Sequence, residues 1–222
     1  MLSDQDDIWF KDKIIESFKA LKALERESER IKPLLVFTDK MIVDEQLNVL
    51  NYSDYERSKI SKDWHLQTKY LLQRNVASGC TMSFNRQLLN KAMPIPKEAF
   101  MHDWWFAIIA SYYGKIKLID KPLMQYRQHS ANVIGSPERS TWLLLINAKK
   151  SYQLFEKNFN KAMQQAKYFE NTTNQASEFT ALYDCSIFKI FYFVLFKNIT
   201  QSGTIRKLSI IFLLLKRRLH KN

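Results

Sequence analysis

The stretch Ser3-Asp4-Gln5-Asp6-Asp7-Ile8-Trp9 places three carboxylates within four residues, close to the amino terminus of this 222-residue chain. Carboxylates so near to one another repel, and a folded protein needs a counter-charge beside them to offset that repulsion. Hard divalent cations prefer oxygen ligands, and Mg²⁺ is usually held by one or two carboxylates together with substrate phosphates. The stretch therefore indicates either a metal–phosphate site at the end of a strand or a solvated acidic segment that caps the following helix.

The composition limits the class of protein. A hydrophobic content of 46% supports a real core, and the net charge of +12 favours an anionic partner such as nucleic acid, a phosphorylated substrate or anionic lipid. The four glycines are scattered and form neither a P-loop nor a dinucleotide-binding fingerprint. Cys80 and Cys185 are the two cysteines, and we expect them to be reduced thiols of a cytoplasmic protein.

Residues 1–135 have the pattern of an α/β domain. Apolar residues recur at helical spacing from Asp7 to about Ser28, and Ile14, Ile15, Phe18 and Leu24 are among those expected on the apolar face. The apolar run at residues 34–37 predicts a buried strand. We further expect a loop at 53–62, a helix at 64–74, a strand ending at Phe84 and a short helix from Asn85. A helix from His102 to Tyr112, ended by Gly114, and two strands at 115–118 and 123–126 around a turn are expected to follow.

The composition changes after Pro137, and residues 136–222 are predicted to form a mostly helical, basic extension. A long helix is expected from 138 to about 171, and two apolar runs follow at 187–196 and 208–215. Neither run reaches the roughly 18 residues of a membrane-spanning helix. Apolar segments flanked by basic residues indicate either attachment to the surface of an anionic membrane or packing on the domain.

Three blocks taken together resemble the second half of a glycosyltransferase family 2 enzyme of GT-A fold, in the bacterial rhamnosyltransferase-like subgroup. The blocks are Ser3–Trp9, then GCTMSFNR at 79–86, then HDWW at 102–105 with YRQHSANVIG at 126–135. The resemblance covers about residues 1–135. It implies the C-terminal part of a GT-A, or nucleotide-diphospho-sugar transferase, domain there, followed by the helical extension.

The resemblance also implies roles for particular residues. Asp4-Gln5-Asp6 falls on the family's DxD motif, so Asp6 would bind Mg²⁺ or Mn²⁺ and Asp4 would face the donor sugar or ribose. Asp103 falls on the catalytic base, which takes the proton from the acceptor hydroxyl as that oxygen attacks the anomeric carbon. One in-line displacement then inverts the anomeric configuration. Taken in isolation, Asp103 is better explained as a cap of the helix that follows it, and the order and spacing of the blocks favour the catalytic role.

The remaining site residues are implied more loosely. Arg127 would contact a donor phosphate, His129 would add a metal contact, and Gly79 would lie in the loop against donor sugar and acceptor, where a missing side chain permits close approach. Trp104 and Trp105 would contact the acceptor if one ring stacks on a sugar, although aromatic residues at a helix start also pack in a core. Arg127 is also compatible with a structural ion pair and His129 with a surface loop.

The function implied is that of an inverting glycosyltransferase, or a truncated remnant of one. It would transfer a sugar, with rhamnose from dTDP-rhamnose as the leading donor, to a glycan or lipid-linked glycan acceptor in surface polysaccharide synthesis. Such a protein would be cytoplasmic, either free or peripheral on the inner face of the cell membrane. The alternative is a non-catalytic fragment that binds a membrane surface or a partner. A nucleic-acid partner is not expected, because the basic residues are spread and no recognition motif is present.

In the family, a nucleotide-binding half precedes the DxD motif. Here Met1 stands almost directly before that motif, and only Met1-Leu2-Ser3 remain of the strand that would present Asp4. We therefore expect the chain alone to bind donor nucleotide weakly or not at all.

Overall fold

The computed structural model describes residues 1–28, 31–128, 148–196 and 204–219. The chain folds as two compact units, one of Met1–Leu71 with Asn75–Glu138 and the other of Leu72–Arg74 with Arg139–Asn222. The first unit is mixed α/β, and the second is helical where it is described.

The first unit is built on one mixed sheet. Its strands are β1 (Ile8–Trp9), β2 (Leu34–Val43), β3 (Val49–Asn51), β4 (Met82–Phe84) and β5 (Lys115–Arg127). Its helices are α1 (Lys13–Arg26), α2 (Asp54–Ser58), α3 (Thr68–Leu71), α4 (Arg86–Ala92) and α5 (His102–Tyr113), with 3₁₀ turns at Trp64–Leu66 and Gly79–Thr81.

Strand β2 is the centre of this sheet. It runs parallel to β5, with Leu34 opposite Lys115, and antiparallel to both β4 and β3. β1 extends the sheet on the far side of β5, and the order along the main path is β1-β5-β2-β3. The first six residues of β2 are buried, as expected for a strand covered on both faces. The predicted buried strand is therefore confirmed, and it continues beyond Phe37 to Val43.

Strand β5 was expected to be two strands around a turn at Asp120-Lys121-Pro122, and it is one continuous strand. The register against β2 shifts between Thr38 and Met41, where Asp39 lies opposite Pro122. Proline has no backbone N–H to donate, so a local break in the ladder accommodates it without ending the strand.

Helix α1 begins later than its periodicity predicts, because Ile8 and Trp9 pair with Gln125 and Met124 of β5 as strand β1. Its buried face also differs from the expected one. Lys13, Ser17 and Leu24 are buried, whereas three of the expected core residues are exposed, namely Ile14, Ile15 and Phe18.

The segment predicted to be a loop at 53–62 contains helix α2, so that expectation was wrong. The buried carboxylate of Asp39 accepts hydrogen bonds from the hydroxyl of Ser53 and from the backbone N–H groups of Asp54 and Tyr55. This distant side chain stabilises the helix start together with the Ser53 cap. The helix expected at 64–74 is replaced by a 3₁₀ turn and the single turn of α3.

Other local predictions are confirmed. Strand β4 ends at Phe84, and α4 starts at Arg86 with Asn85 as its cap. Oδ1 of Asn85 accepts hydrogen bonds from the backbone N–H groups of Leu88 and Leu34, and it thereby joins the helix start to the central strand. Helix α5 ends at Tyr113, one residue later than expected, and Gly114 is its C-cap.

The second unit contains α6 (Ala148–Thr173), α7 (Glu178–Ala181), α8 (Ile187–Phe191), which continues as a π-helical turn at Tyr192–Phe196, and α9 (Thr204–Leu219). The long helix predicted at 138–171 is described from Ala148, and its first ten residues lie outside the described part of the chain. Among the described helices, none has the length and apolar character needed to cross a membrane.

Candidate active site

The 3₁₀ turn that begins at Gly79 is the place where segments of the three quoted sequence blocks meet. The backbone N–H of Gly79 donates a 2.9 Å hydrogen bond to Oδ2 of Asp103. A Cβ atom at Gly79 would lie 3.3 Å from Nε2 of His102 and 3.6 Å from Cδ1 of Leu2. The missing side chain therefore leaves room for the amino-terminal segment and the start of α5 to approach the same turn.

A cluster of candidate metal ligands lies next to this turn. Ligand atoms of Asp4, Asp7 and Cys80 are all within 4.8 Å of one another. A turn at Gln5 and Asp6 separates the two clustered aspartates in sequence. The arrangement thus pairs Asp4 with Asp7, and Asp6 is not part of this cluster.

The carboxylate of Asp7 is partly buried and lies close to a second carboxylate. Burial raises its pKa, and the nearby charge of Asp4 adds to the increase, while hydrogen bonds from the Cys80 thiol and the Arg127 backbone and the charge of Lys40 oppose it. Its Oδ2 atom is buried and has no hydrogen-bond partner among the residues that the structure describes. A buried carboxylate oxygen with no donor is suited to a cation.

The donor set fits a hard divalent cation. Burial raises the pKa of the Cys80 thiol to about 12, so this side chain stays protonated and is a poor ligand for Mg²⁺ or Mn²⁺. The two carboxylates of Asp4 and Asp7 remain as oxygen ligands, which matches the usual share that a protein contributes to a Mg²⁺–phosphate site. His129, the other predicted metal contact, lies outside the described residues.

A fully buried lysine, Lys13, lies beneath the cluster. Its Nζ donates to the backbone oxygen of Cys80 at 2.6 Å, is 3.1 Å from Sδ of Met124, and lies 4.5 Å from the centre of the Trp9 ring. Burial lowers its pKa to about 8, although the neighbouring acidic groups oppose that decrease. Lys13 holds Cys80 in place and supplies positive charge near the carboxylates.

Asp103 lies at the start of α5 and is 5% exposed. Met101 occupies the capping position of that helix. The carboxylate of Asp103 accepts two backbone hydrogen bonds, from the N–H of Trp104 at 2.7 Å and from the N–H of Gly79. Burial raises the pKa of Asp103, against the effect of these hydrogen bonds and of the His102 and Lys40 charges. A buried carboxylate with a raised pKa is a better proton acceptor than an exposed one.

The ammonium group of Lys40 lies close enough to Asp7, Cys80 and Asp103 to affect all three. Its Nζ donates to Oγ of Ser78 at 2.8 Å, lies 3.6 Å from Oδ2 of Asp54 and stands 4.3 Å from the centre of the Tyr126 ring. Its charge lowers the pKa of Asp7, Cys80 and Asp103 alike. Ser78 and Gly79 are thus held from two sides, by Lys40 and by Asp103.

Arg127 ends strand β5, and its backbone N–H donates to Asp7. This contact brings the start of the segment 126–135, the last of those quoted above, to the cluster. Trp104 and Trp105 lie in the core at 6% exposure each, and their indole N–H groups donate to the backbone oxygens of Leu71 and Ala92. Their burial supports the packing alternative for both rings, and acceptor binding by either ring stays a prediction.

Three residues of the site were not identified from the sequence, namely Lys13, Lys40 and Cys80. Lysine is the residue type least often buried, so a single lysine beside an apolar residue gives no local signal of a buried site. Cys80 is 67 positions from Lys13 in the chain, and Ser78 is 38 positions from Lys40. Only the fold brings these groups together.

The chain is similar to a curated bacterial protein, the dTDP-rhamnosyl transferase RfbG of Shigella flexneri. The two are 28% identical over 144 residues, which cover 60% of this chain and 44% of that protein. The chain therefore spans less than half the length of the relative that it matches. No family model and no solved structure matches the chain. The finding relates the chain distantly to a rhamnosyltransferase.

Proposed function

We propose that this chain forms the metal-binding and acceptor side of an inverting glycosyltransferase. The reaction would transfer rhamnose from dTDP-rhamnose to a glycan or lipid-linked glycan acceptor in surface polysaccharide synthesis. The similarity to a dTDP-rhamnosyl transferase supports the reaction class and the donor. The observation that carries the proposal is that a buried carboxylate, Asp103, and a carboxylate pair, Asp4 and Asp7, adjoin the same turn at Gly79 and Cys80.

Asp103 is the proposed catalytic base. Its carboxylate accepts the proton of the acceptor hydroxyl while the acceptor oxygen forms a bond to the anomeric carbon of the donor. The bond between that carbon and the diphosphate oxygen breaks, and dTDP leaves with the bonding electron pair. Attack opposite to the leaving group inverts the anomeric configuration. The hydrogen bond from Gly79 orients the Asp103 carboxylate, and this bond and the charge of Lys40 oppose the increase in its pKa that burial causes.

Asp4 and Asp7 are the residues that would hold Mg²⁺ or Mn²⁺. When bound, such a cation supplies positive charge that stabilises the negative charge developing on a departing diphosphate. Lys13 and Lys40 limit the repulsion between these carboxylates, because both place positive charge close to them. The roles of Asp6 and His129 as ligands, and of Arg127 as a phosphate contact, stay predictions from the resemblance, and the proposal assigns the metal to Asp4 and Asp7 instead of Asp6.

Transfer is tested in membranes from cells that produce the full chain, so that any component completing the donor site is present. Labelled dTDP-rhamnose is added with Mn²⁺, and label in the lipid-linked glycan fraction is measured for the wild type, Asp103→Asn and Asp63→Asn. Asp63 is an exposed carboxylate outside the site and serves as the matched control. We expect Asp103→Asn to lose at least about a hundredfold in rate, as removal of a general base does, and Asp63→Asn to be unchanged.

The alternative function, a non-catalytic fragment that binds a membrane or a partner, makes the opposite prediction for Asp103. If Asp103→Asn and the wild type give the same incorporation of label above that of cells lacking the chain, the catalytic assignment is wrong. Absence of incorporation with every nucleotide-sugar tested, with the wild type present and folded, likewise contradicts the proposal.

A further inference from the structure

The last two helices of the second unit are apolar on their outward side as well as on their packed side. In α8 and its π-helical continuation, Ile190 and Val194 are buried, while an outward set is exposed that consists of Ile187, Phe188, Phe191, Tyr192 and Leu195. Phe188 is 88% exposed. A large aromatic side chain left so open to water is unusual, and a group of them marks a binding surface.

Helix α9 repeats this arrangement. Ile210, Leu213 and Leu214 are buried, and Leu208, Phe212 and Leu219 are exposed on the opposite side of the helix. The exposed residues follow one another at steps of four and seven, which places them on one helical face. α8 and α9 pack against each other, and the guanidinium of Arg218 donates to the backbone oxygen of Cys185, just before α8.

The charge of this part of the chain is entirely positive. Residues 185–222 contain eight Lys or Arg and no Asp or Glu, so they account for +8 of the net charge of +12. Among the described residues, Lys189 is exposed next to Phe188, and Lys216, Arg217 and Arg218 end α9. Lys216 also forms an ion pair with Glu156 at 3.4 Å, whereas residues 185–222 themselves supply no acidic side chain. Exposed aromatic and aliphatic side chains combined with this excess of positive charge match the surface of an anionic bilayer, which offers an apolar interior beneath negative head groups.

We propose that the outward faces of α8 and α9 form a binding surface for an anionic lipid bilayer. Phe188 and Phe212 enter the boundary between head groups and acyl chains, and the surrounding Lys and Arg side chains attract the phosphates. The helices lie along the membrane surface and do not cross it. This inference does not depend on transfer activity, and it would hold for a catalytic or a non-catalytic chain.

The surface is tested by flotation of the purified full chain with vesicles of phosphatidylcholine alone or with one-third phosphatidylglycerol. The variants are Phe188→Ser, Phe212→Ser and the double substitution, and Phe18→Ser is the matched control because Phe18 is an exposed phenylalanine of the first unit. Circular dichroism and thermal unfolding establish that each variant is folded. Since both phenylalanines point to solvent, their replacement by serine is expected to leave the fold intact.

We expect the chain to float with the anionic vesicles and not with the neutral ones. Each phenylalanine variant should lower the partition coefficient about tenfold, since each loses the burial of one aromatic side chain, and Phe18→Ser should behave as the wild type. High salt should weaken binding further, because it screens the charges. Equal binding of neutral and anionic vesicles, or full binding by the double variant, overturns the proposal. The proposal is also overturned if the chain binds no vesicles and forms a dimer that the double substitution dissociates. The surface would then join two copies of the chain.

Discussion

The carboxylate of Asp103 and the backbone N–H of Gly79 are joined by a 2.9 Å hydrogen bond across 24 positions of sequence. This bond connects the start of α5 with the turn that carries Cys80, and Cys80 in turn lies beside Asp4 and Asp7. The proposed base and the proposed metal ligands therefore share one piece of backbone. A substitution that moves Asp103 is therefore expected to alter the position of Cys80 beside Asp4 and Asp7 as well.

The carboxylates of Asp4 and Asp7 are expected to bind Mn²⁺. A ligand that binds the folded state stabilises it by about 2.7 kcal/mol when its concentration is a hundred times its dissociation constant. Excess Mn²⁺ should raise the melting temperature of the wild type, and Asp7→Asn should remove that increase.

The matched variant for this measurement is Asp6→Asn. The DxD resemblance assigns the metal to Asp6, whereas the geometry groups Asp7 with Asp4. We expect Asp6→Asn to keep most of the Mn²⁺-induced increase. Loss of the increase in Asp6→Asn with retention in Asp7→Asn would show that the motif, and not the cluster, identifies the ligand.

Without metal, Asp7→Asn is expected to be more stable than the wild type at neutral pH. The pKa of Asp7 is raised in the folded chain, so the wild type is favoured when this group is protonated and loses that advantage as pH rises from its ordinary value near 3.8 through the folded value. The asparagine variant carries no such charge. Thermal unfolding of both proteins from pH 4 to pH 7 should show the difference growing with pH, and a constant difference would contradict the burial argument.

Lys13→Met is expected to change the pH dependence of stability on the alkaline side. The lysine's folded pKa is about 8 and its ordinary value is 10.5. Between these values the unfolded chain binds more protons, so the wild type gains stability relative to the methionine variant as pH rises. The comparison must be made between variants, because the raised pKa values of Cys80 and Tyr126, both about 12, act in the opposite direction at high pH.

Lys11→Met is the control for this measurement, because Lys11 is exposed two residues before the buried lysine. Its unfolding free energy should follow that of the wild type at every pH. Parallel pH curves for the Lys13 variant and the wild type would mean that Lys13 is not buried as a titrating group.

Lys40→Met is expected to loosen the turn at Ser78 and Gly79 and to raise the pKa of Asp103, because the Lys40 charge lowers that pKa and its Nζ holds Ser78. Hydrogen exchange at the Gly79 amide should become faster. In the transfer assay, the rise of the rate with pH that accompanies ionisation of Asp103 should move to higher pH. Lys62→Met, which removes an exposed ion pair with Asp120, should alter neither quantity.

Gly114→Ala is expected to destabilise the first unit strongly. A Cβ atom at Gly114 would lie 1.6 Å from the backbone oxygen of Pro33, which accepts the hydrogen bond from Lys115 at the start of β5. The backbone must move, and we expect a loss of roughly 2–3 kcal/mol, which corresponds to a decrease of about 4–12 °C in melting temperature.

Gly79→Ala provides the comparison, because its Cβ would meet only side-chain atoms at 3.3 Å or more. We expect a loss of roughly 1 kcal/mol or less in the unfolding free energy. Equal losses for the two alanine variants would mean that the contact with Pro33 relaxes without cost.

The sequence by itself determined the features that depend on local residue type. The apolar run at 34–37 predicts the central strand, Asn85 predicts the start of α4, and Gly114 the end of α5. The acid-free, basic tail is also visible in the sequence alone. Each of these signals lies within a few residues of the structure that it predicts, so no distant contact is needed to read it.

The tertiary structure decided which groups are buried and which meet. Helical spacing alone favoured Ile14, Ile15 and Phe18 as the core face of α1, and the fold buries Lys13 instead. Helix α2 depends on the distant carboxylate of Asp39, and the pairing of Asp7 with Cys80 depends on a turn more than seventy positions away. Periodicity determines which side chains share a helical face, but long-range packing determines which face is buried. The pKa values of the groups in the site follow from that burial.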